Sequence, residues 1–179
     1  MVPIINKPIM QHILKLLKDH GIRNIGVTLQ YMPEAIKDYF GDGEQFGVDL
    51  TYFVEETPLG TAGSVKNAED FLHDTFLVIS GDALTDIDLS KAVDFHKRNR
   101  AIATMVLTRV TVPLEYGVAI TDKDSRIVQY LEKPCWSEVF SDTVNTGIYV
   151  LEPEIFKFYK KNQKFDFSKD LFPILLREK

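Results

Sequence analysis

The chain has 179 residues, 45% of them hydrophobic and 26% charged, which is enough apolar content for one globular domain or a large part of one. A formal net charge of -5 argues against a general nucleic-acid binder, which would carry a basic face. One cysteine, Cys135, excludes an internal disulfide framework and fits a cytoplasmic setting, and no apolar run approaches the ~18 residues of a membrane span.

In chain order, the opening "MVPIINKPIM" lacks the basic and apolar regions of a secretory signal. Pro8 then precedes a helical pattern in which Ile9, Met10, Ile13, Leu14, Leu16 and Leu17 recur at three- and four-residue spacing. Gly21 reads as its stop. "NIGVTLQ" is a short strand, "PEAIKDYF" a second helix closed by "GDG", and "VDLTYFVEE" an alternating strand. "TAGSVKNAEDFL" reads as one helix and "TFLVIS" as a continuous apolar strand. Asp88 is placed to cap the helix "LSKAVDFHKRNR".

"IATMVLTRV" is again a strand, and "GVAITDKDSRIVQYLEKP" reads as two strands around the turn Asp122-Lys123-Asp124-Ser125. "NTGIYVLEP" is a further strand, "PEIFKFYKK" a helix, and "DFSKDLFPILLRE" a closing helix with Ser168 as its cap. The first half therefore alternates strand and helix, which predicts a parallel sheet covered on both faces, and the second half adds antiparallel strands. The histidines, His12, His20, His73 and His96, are scattered without ligand spacing and are expected at the surface or its boundary.

Doubly wound sheets normally open on a strand whose following loop holds phosphate. Here the first regular element is a helix, and Pro3 interrupts the only earlier candidate. The pattern leaves two readings open: a strand preceding residue 1, or a mixed fold that begins with a helix.

Four stretches could carry chemistry. "ETPLGTAGS" joins a strand to a helix through Pro58, Gly60 and Gly63, without the Gly-Lys-Ser/Thr of a P-loop. Glycine there admits close approach and a helix N-terminus favours anions, although a plain turn explains the same residues. "SGDALTD" places Gly81 and Asp82 at the carboxyl end of a predicted strand, the edge where open α/β sheets bind ligands. An aspartate there suits Mg²⁺, which commonly takes one or two carboxylates plus substrate phosphates, and it equally suits a turn. "EKP" puts Glu132 and Lys133 at a strand end, where a solvated charge pair is the plain alternative, and "NTGIY" sets Asn145 beside Gly147 at a strand start, where a turn is. Cys135 and Trp136 follow "EKP" and read as packing residues, since no histidine is near in sequence.

The ordered series "NKPIM", "ETPLGTAGS", "GDALTD", "YGVAI", "EKP", "NTGIYVLEP", "FDFSKDLFP" resembles the sugar-1-phosphate nucleotidyltransferases over essentially the whole chain. It looks most like their mannose-1-phosphate guanylyltransferase and glucose-1-phosphate nucleotidyltransferase branch. The resemblance implies a Rossmann-like, GT-A-like α/β/α domain with a mixed sheet, here one partial catalytic domain over residues 1–179. It implies transfer of a nucleotidyl group from a nucleoside triphosphate, with GTP favoured, to a sugar 1-phosphate, with mannose 1-phosphate favoured, using Mg²⁺. By motif, Asp82 would be the metal ligand and, with Lys133, catalytic. Glu55, Gly60, Thr61 and Gly81 would face the nucleotide. Gly117, Glu132, Lys133 and Asn145 would face the sugar phosphate.

The resemblance also implies departures. The family's G-G-x-G-T-R-L loop, which wraps the triphosphate, and a second metal aspartate in a W-x-D-I-G-type motif have no counterpart in this sequence, whose only tryptophan is Trp136. The expectation is a chain cut at both ends and lacking its first central strand, with little transferase activity alone and an open sheet through which copies could associate. A non-catalytic regulatory or assembly subunit is the alternative. A flavodoxin-like signalling domain leaves "EKP" and "NTGIYVLEP" unexplained. No nucleic-acid or membrane partner is expected.

Overall fold

The computed structural model describes residues 3–178. A two-residue hairpin, β1 (Pro3–Ile4) and β2 (Lys7–Pro8), leads into α1 (Ile9–Asp19). The earlier part of the opening stretch, residues 1 and 2, lies outside the described residues. Next come β3 (Asn24–Leu29), α2 (Pro33–Phe40), β4 (Asp49–Val54), α3 (Gly60–Asn67), β5 (Phe76–Ile79) and α4 (Leu89–Asn99). The second half contributes β6 (Ala103–Arg109), β7 (Gly117–Thr121), β8 (Ile127–Glu132), β9 (Thr143–Leu151) and α5 (Phe172–Arg177).

The α/β expectation holds, with one correction to the sheet. β3 and β4 do pair in parallel, Asn24 opposite Asp49 through Leu29 opposite Val54. β5 instead joins a five-stranded sheet by pairing antiparallel with β9, as β6 also does. Among the described residues no strand hydrogen-bonds the β3–β4 pair to that sheet. What spans the two is α1. Its buried Ile13 and Leu17 pack in one cluster with Ile25 of β3, Leu77 and Ile79 of β5, and Ile148 of β9. The three- and four-residue apolar spacing of α1 exists to make this seam, because a helix buries one stripe. A second cluster seals α2 onto the β3–β4 pair through Leu14, Phe40, Val48 and Leu50. The largest cluster covers the other region of the five-stranded sheet with Tyr149, Leu151, Ile155, Phe156, Phe167 and Phe172.

Several local expectations change. The helix read across 61–72 stops at Asn67 and continues as a 3₁₀ turn, Glu69–Phe71. "PEIFKF" is a 3₁₀ segment, and "FSKDL" is a π-helical turn that runs into α5. Its cap is Asp166, whose carboxylate accepts from the Ser168 and Lys169 amides, and Ser168 lies inside the turn. Asp88 does cap α4, accepting from the Lys91 amide at 3.1 Å. His96 departs from the boundary expectation: it is 1% exposed and bridges Thr104 Oγ1 at 2.8 Å and Glu152 Oε1 at 2.9 Å. Both ring nitrogens are satisfied, so an isolated histidine could be buried on the apolar side of α4. Cys135 and Trp136 are exposed rather than packed, in a loop where the Glu138 carboxylate accepts from the Cys135 amide.

Candidate active site

Gly117 and Glu132 face each other across the β7–β8 ladder. A side chain at Gly117 would meet Tyr130 Oη at 2.0 Å and Glu132 Oε2 at 2.6 Å, so the glycine makes room for that pair. Tyr130 Oη donates to Glu132 Oε2 at 2.8 Å. Burial, together with the adjacent Glu132 carboxylate, pushes the Tyr130 phenol far up, which keeps it a donor at neutral pH.

Asn145 joins this pair from β9. Its Oδ1 accepts from the Gly147 amide at 2.9 Å, which fixes which way the amide points. Its Nδ2 then faces Tyr149 Oη at 2.9 Å, Ser168 Oγ at 3.2 Å and Tyr130 Oη at 3.4 Å. Three oxygens share two protons, so the amide is held from three sides. The local backbone explains the placement. β9 bulges between Asn145 and Tyr149 opposite β6, Gly147 takes a left-handed φ of 76°, and Thr146 Oγ1 donates to Val106 O at 2.8 Å. Bulges of this kind re-aim side chains and recur beside active sites.

Lys133 follows Glu132 with a left-handed φ of 45°, a conformation that a non-glycine residue holds only under constraint. Its amide is tied to Tyr116 O at 3.1 Å and its exposed ammonium lies 4.0 Å from Glu115 Oε2. The carboxyl end of β5 approaches the same bulge: a side chain at Gly147 would meet Ser80 Cβ at 3.9 Å. Ser80 Oγ donates to Asp82 Oδ1, and Gly81 and Asp82 are exposed. Nothing lies within 4 Å of a side chain built at Gly81.

The nucleotide candidates lie at the β4–α3 turn. Glu55 is 8% exposed, and its carboxylate accepts from the Leu59 amide at 3.1 Å, so it braces the turn. Gly60 opens α3 with a φ of 74°. Thr61 Oγ1 donates to Asp166 Oδ2 at 2.9 Å and accepts from the Phe167 amide at 3.0 Å. The structure thus gathers Gly117, Glu132 and Asn145 into one network, brings Ser80, two residues before Asp82, beside its bulge, and sets Glu55, Gly60 and Thr61 in a second group. Tyr130, Tyr149, Ser168 and Asp166 belong to these groups and were missed in the sequence. The period-2 alternation Tyr130, Glu132 along "QYLE" was the one available signal.

Among the described residues, no three His, Cys, Asp or Glu side chains are grouped to hold a metal by themselves. Asp82, exposed with one carboxylate oxygen facing Ser80, matches the sparse protein ligation of Mg²⁺, in which phosphates and water complete the shell.

A nucleotidyl transferase family model matches residues 1–179. A Synechocystis protein named UTP–glucose-1-phosphate uridylyltransferase is 41% identical over 98% of this chain and 49% of its own length. A Mycobacterium tuberculosis mannose-1-phosphate guanylyltransferase is 34% identical over 99% of this chain and 49% of its own. The chain thus spans about half the length of the curated relatives it matches. A Bacillus anthracis structure assigned as a glucose-1-phosphate thymidylyltransferase superposes with a TM-score of 0.86 at 26% identity, covering 99% of this chain and 73% of that one. A UDP-glucose pyrophosphorylase bound to UDP-glucose shares the fold, with a TM-score of 0.83 at 18% identity over 100% of this chain and 78% of that one. The chain belongs to the nucleotidyl transferase family, among the sugar-1-phosphate nucleotidyltransferases.

Proposed function

We propose that the protein transfers a nucleotidyl group from a nucleoside triphosphate to a sugar 1-phosphate, releasing pyrophosphate and forming a nucleotide sugar. The observation that carries this reading is the Gly117–Tyr130–Glu132–Asn145 network. It offers a carboxylate and an amide, both oriented, to the hydroxyl groups of a sugar. Lys133, next in sequence and exposed, would pair with phosphate. Gly81 leaves backbone approachable at one of the two loops assigned to the nucleotide.

In this reading the protein works mainly by positioning. The oriented Glu132 and Asn145 set the sugar's rotation, and Lys133 draws the 1-phosphate toward the β5 loop. Asp82 would hold Mg²⁺ together with the substrate phosphates. When bound, Mg²⁺ supplies charge neutralisation on phosphate oxygens during in-line attack at the α-phosphorus.

GTP with mannose 1-phosphate is the favoured pair from the motif series, and relatives such as the mycobacterial guanylyltransferase support it. The 41% identical Synechocystis protein, named for UTP and glucose 1-phosphate, favours that second pair. Titrating the chain with GDP-mannose and UDP-glucose, each with and without Mg²⁺, tests both. Saturable binding of one, lost in Asn145→Ala, is the expected result. Binding of neither would overturn the reading, and binding without turnover in the complete protein would favour a regulatory subunit.

A further inference from the structure

One short segment touches both groups of site residues. The Phe165 carbonyl accepts from the Ala62 amide at 3.1 Å and the Gly63 amide at 2.9 Å, and the Phe165 amide donates to Leu59 O at 2.8 Å. Asp166 and the Phe167 amide grip the Thr61 hydroxyl from both sides, at 2.9 and 3.0 Å. These contacts clamp the start of α3, and they engage the hydroxyl of the exposed Thr61. Two residues later, Ser168 Oγ accepts from Asn145 Nδ2 at 3.2 Å. Between them Phe167, 1% exposed, packs its ring 5.2 Å from that of Tyr149, which also accepts from Asn145.

The segment is also bonded within itself. Asp166 Oδ1 accepts from the Ser168 amide at 3.0 Å and the Lys169 amide at 3.3 Å, and the Asp166 amide donates to Asp170 Oδ2 at 2.8 Å. It then enters a π-helical turn, a geometry rare in general and frequent at functional sites. Gly60 and Gly63 are small because of it. A side chain at Gly60 would stand 2.7 Å from Phe165 O, and one at Gly63 would stand 2.6 Å from Gln163 O.

We propose that the Phe165–Ser168 segment is a positioning element that couples the nucleotide loop at Gly60–Gly63 to the Glu132–Tyr130–Asn145 network, so that ordering one half-site orders the other. The inference rests on the functional reading above for what the two half-sites bind. The link itself is a property of the ligand-free chain. A rigid element hydrogen-bonded to both groups transmits displacement in either direction, and such coupling is reciprocal.

The test uses the 179-residue chain and reads backbone amide exchange and side-chain amide resonances by NMR. In the ligand-free protein, Ser168→Ala should speed exchange at Ala62 and Gly63 by about tenfold, as expected for a loss equivalent to one strong hydrogen bond. Exchange in β3 should stay unchanged, which separates the effect from global loosening. Ser168→Thr should restore protection. Reciprocally, Thr61→Val should shift the Asn145 side-chain amide signals, though Thr61 and Asn145 are not in contact. Thr61→Val removes only one hydroxyl, and it gives a reading even if Ser168→Ala unfolds the chain.

Unchanged exchange at Ala62 and Gly63, together with an unmoved Asn145 signal, would overturn the coupling. GDP-mannose and UDP-glucose with Mg²⁺ form the second arm. If a nucleotide sugar binds, its protection of Ala62 and Gly63 should fall at least about fivefold in Ser168→Ala. Undiminished protection would count against the coupling. If neither binds while the ligand-free link is present, the functional reading fails and the link stands.

Discussion

Gly60→Ala tests the clamp on the nucleotide loop through stability alone. Gly60 has a φ of 74°, and an L-residue held there loses about 1–2 kcal/mol relative to glycine. The new methyl group would also lie 2.7 Å from Phe165 O and 3.1 Å from Phe165 C, both backbone atoms, so a rotamer change cannot relieve it. Either α3 or the Phe165 carbonyl must shift, and that carbonyl is the shared acceptor of the Ala62 and Gly63 amides. Weakening two backbone hydrogen bonds costs about 1–2 kcal/mol more. The total, about 3 kcal/mol, is a large part of the ~5–15 kcal/mol that holds a domain. With a urea slope of about 3 kcal/mol per M, the unfolding midpoint should fall by about 1 M at constant slope. Gly81→Ala is the control, since nothing lies within 4 Å of its added methyl. A Gly60→Ala midpoint as close to the parent as that of Gly81→Ala would refute the left-handed, clamped geometry.

Four further outcomes are expected. Asp82→Asn should leave the urea midpoint unchanged and abolish the Mg²⁺ dependence of nucleotide-sugar binding; Mg²⁺-dependent binding at parental affinity would rule Asp82 out as a ligand. Tyr130→Phe removes the donor to Glu132 Oε2, and calorimetry should show nucleotide-sugar affinity down by about tenfold, an effect absent if Glu132 is oriented by other means. Lys66 is 7% exposed, and its ammonium donates to Phe156 O at 2.7 Å and Glu69 Oε1 at 2.9 Å. Lys66→Ala should therefore lose about 2–3 kcal/mol in urea denaturation through unpaired and unpacked partners. The last concerns pH. Burial works to raise the Glu152 carboxyl, but hydrogen bonds from Thr75 and His96 outweigh it and hold the group below the usual carboxylate range. A carboxyl depressed in the folded state stabilises the protein above the unfolded pKa and loses that contribution as pH falls through the folded one. Glu152→Gln should flatten the decline of the urea midpoint as pH falls through and below the usual carboxylate range, and an unaltered decline would show that other carboxylates drive it.

Local chemistry made much of this protein legible from residues in order. The apolar spacing of α1, the Pro33 start of α2, the Asp88 cap and the Asp122–Ser125 turn each depend on neighbours within a few positions, and each appears where expected. Most motifs of the ordered series sit at a strand end or strand-to-helix turn, and such junctions are marked by glycine, proline and charge. The same locality misled at Ser168. Its spacing before an apolar run suits a cap, but Asp166 takes that role, and Phe167 within the π-helical turn packs against Tyr149 and Phe172.

Contacts across distant sequence required the fold. Neither Thr61 and Asp166 nor His96 and Glu152 share any periodicity, and their hydrogen bonds exist only because α3 meets the 165–168 segment and α4 covers β9. The antiparallel pairing of β5 with β9 is likewise invisible in "FLVI", since an apolar run shows that a strand is buried and says nothing of its neighbour's direction. The sequence by itself determined the family, the positions of most elements and the chemical groups at the strand ends. Only the tertiary structure decided which of those groups meet, because a side chain's partners depend on how whole strands pair and on the bulge that re-aims Asn145.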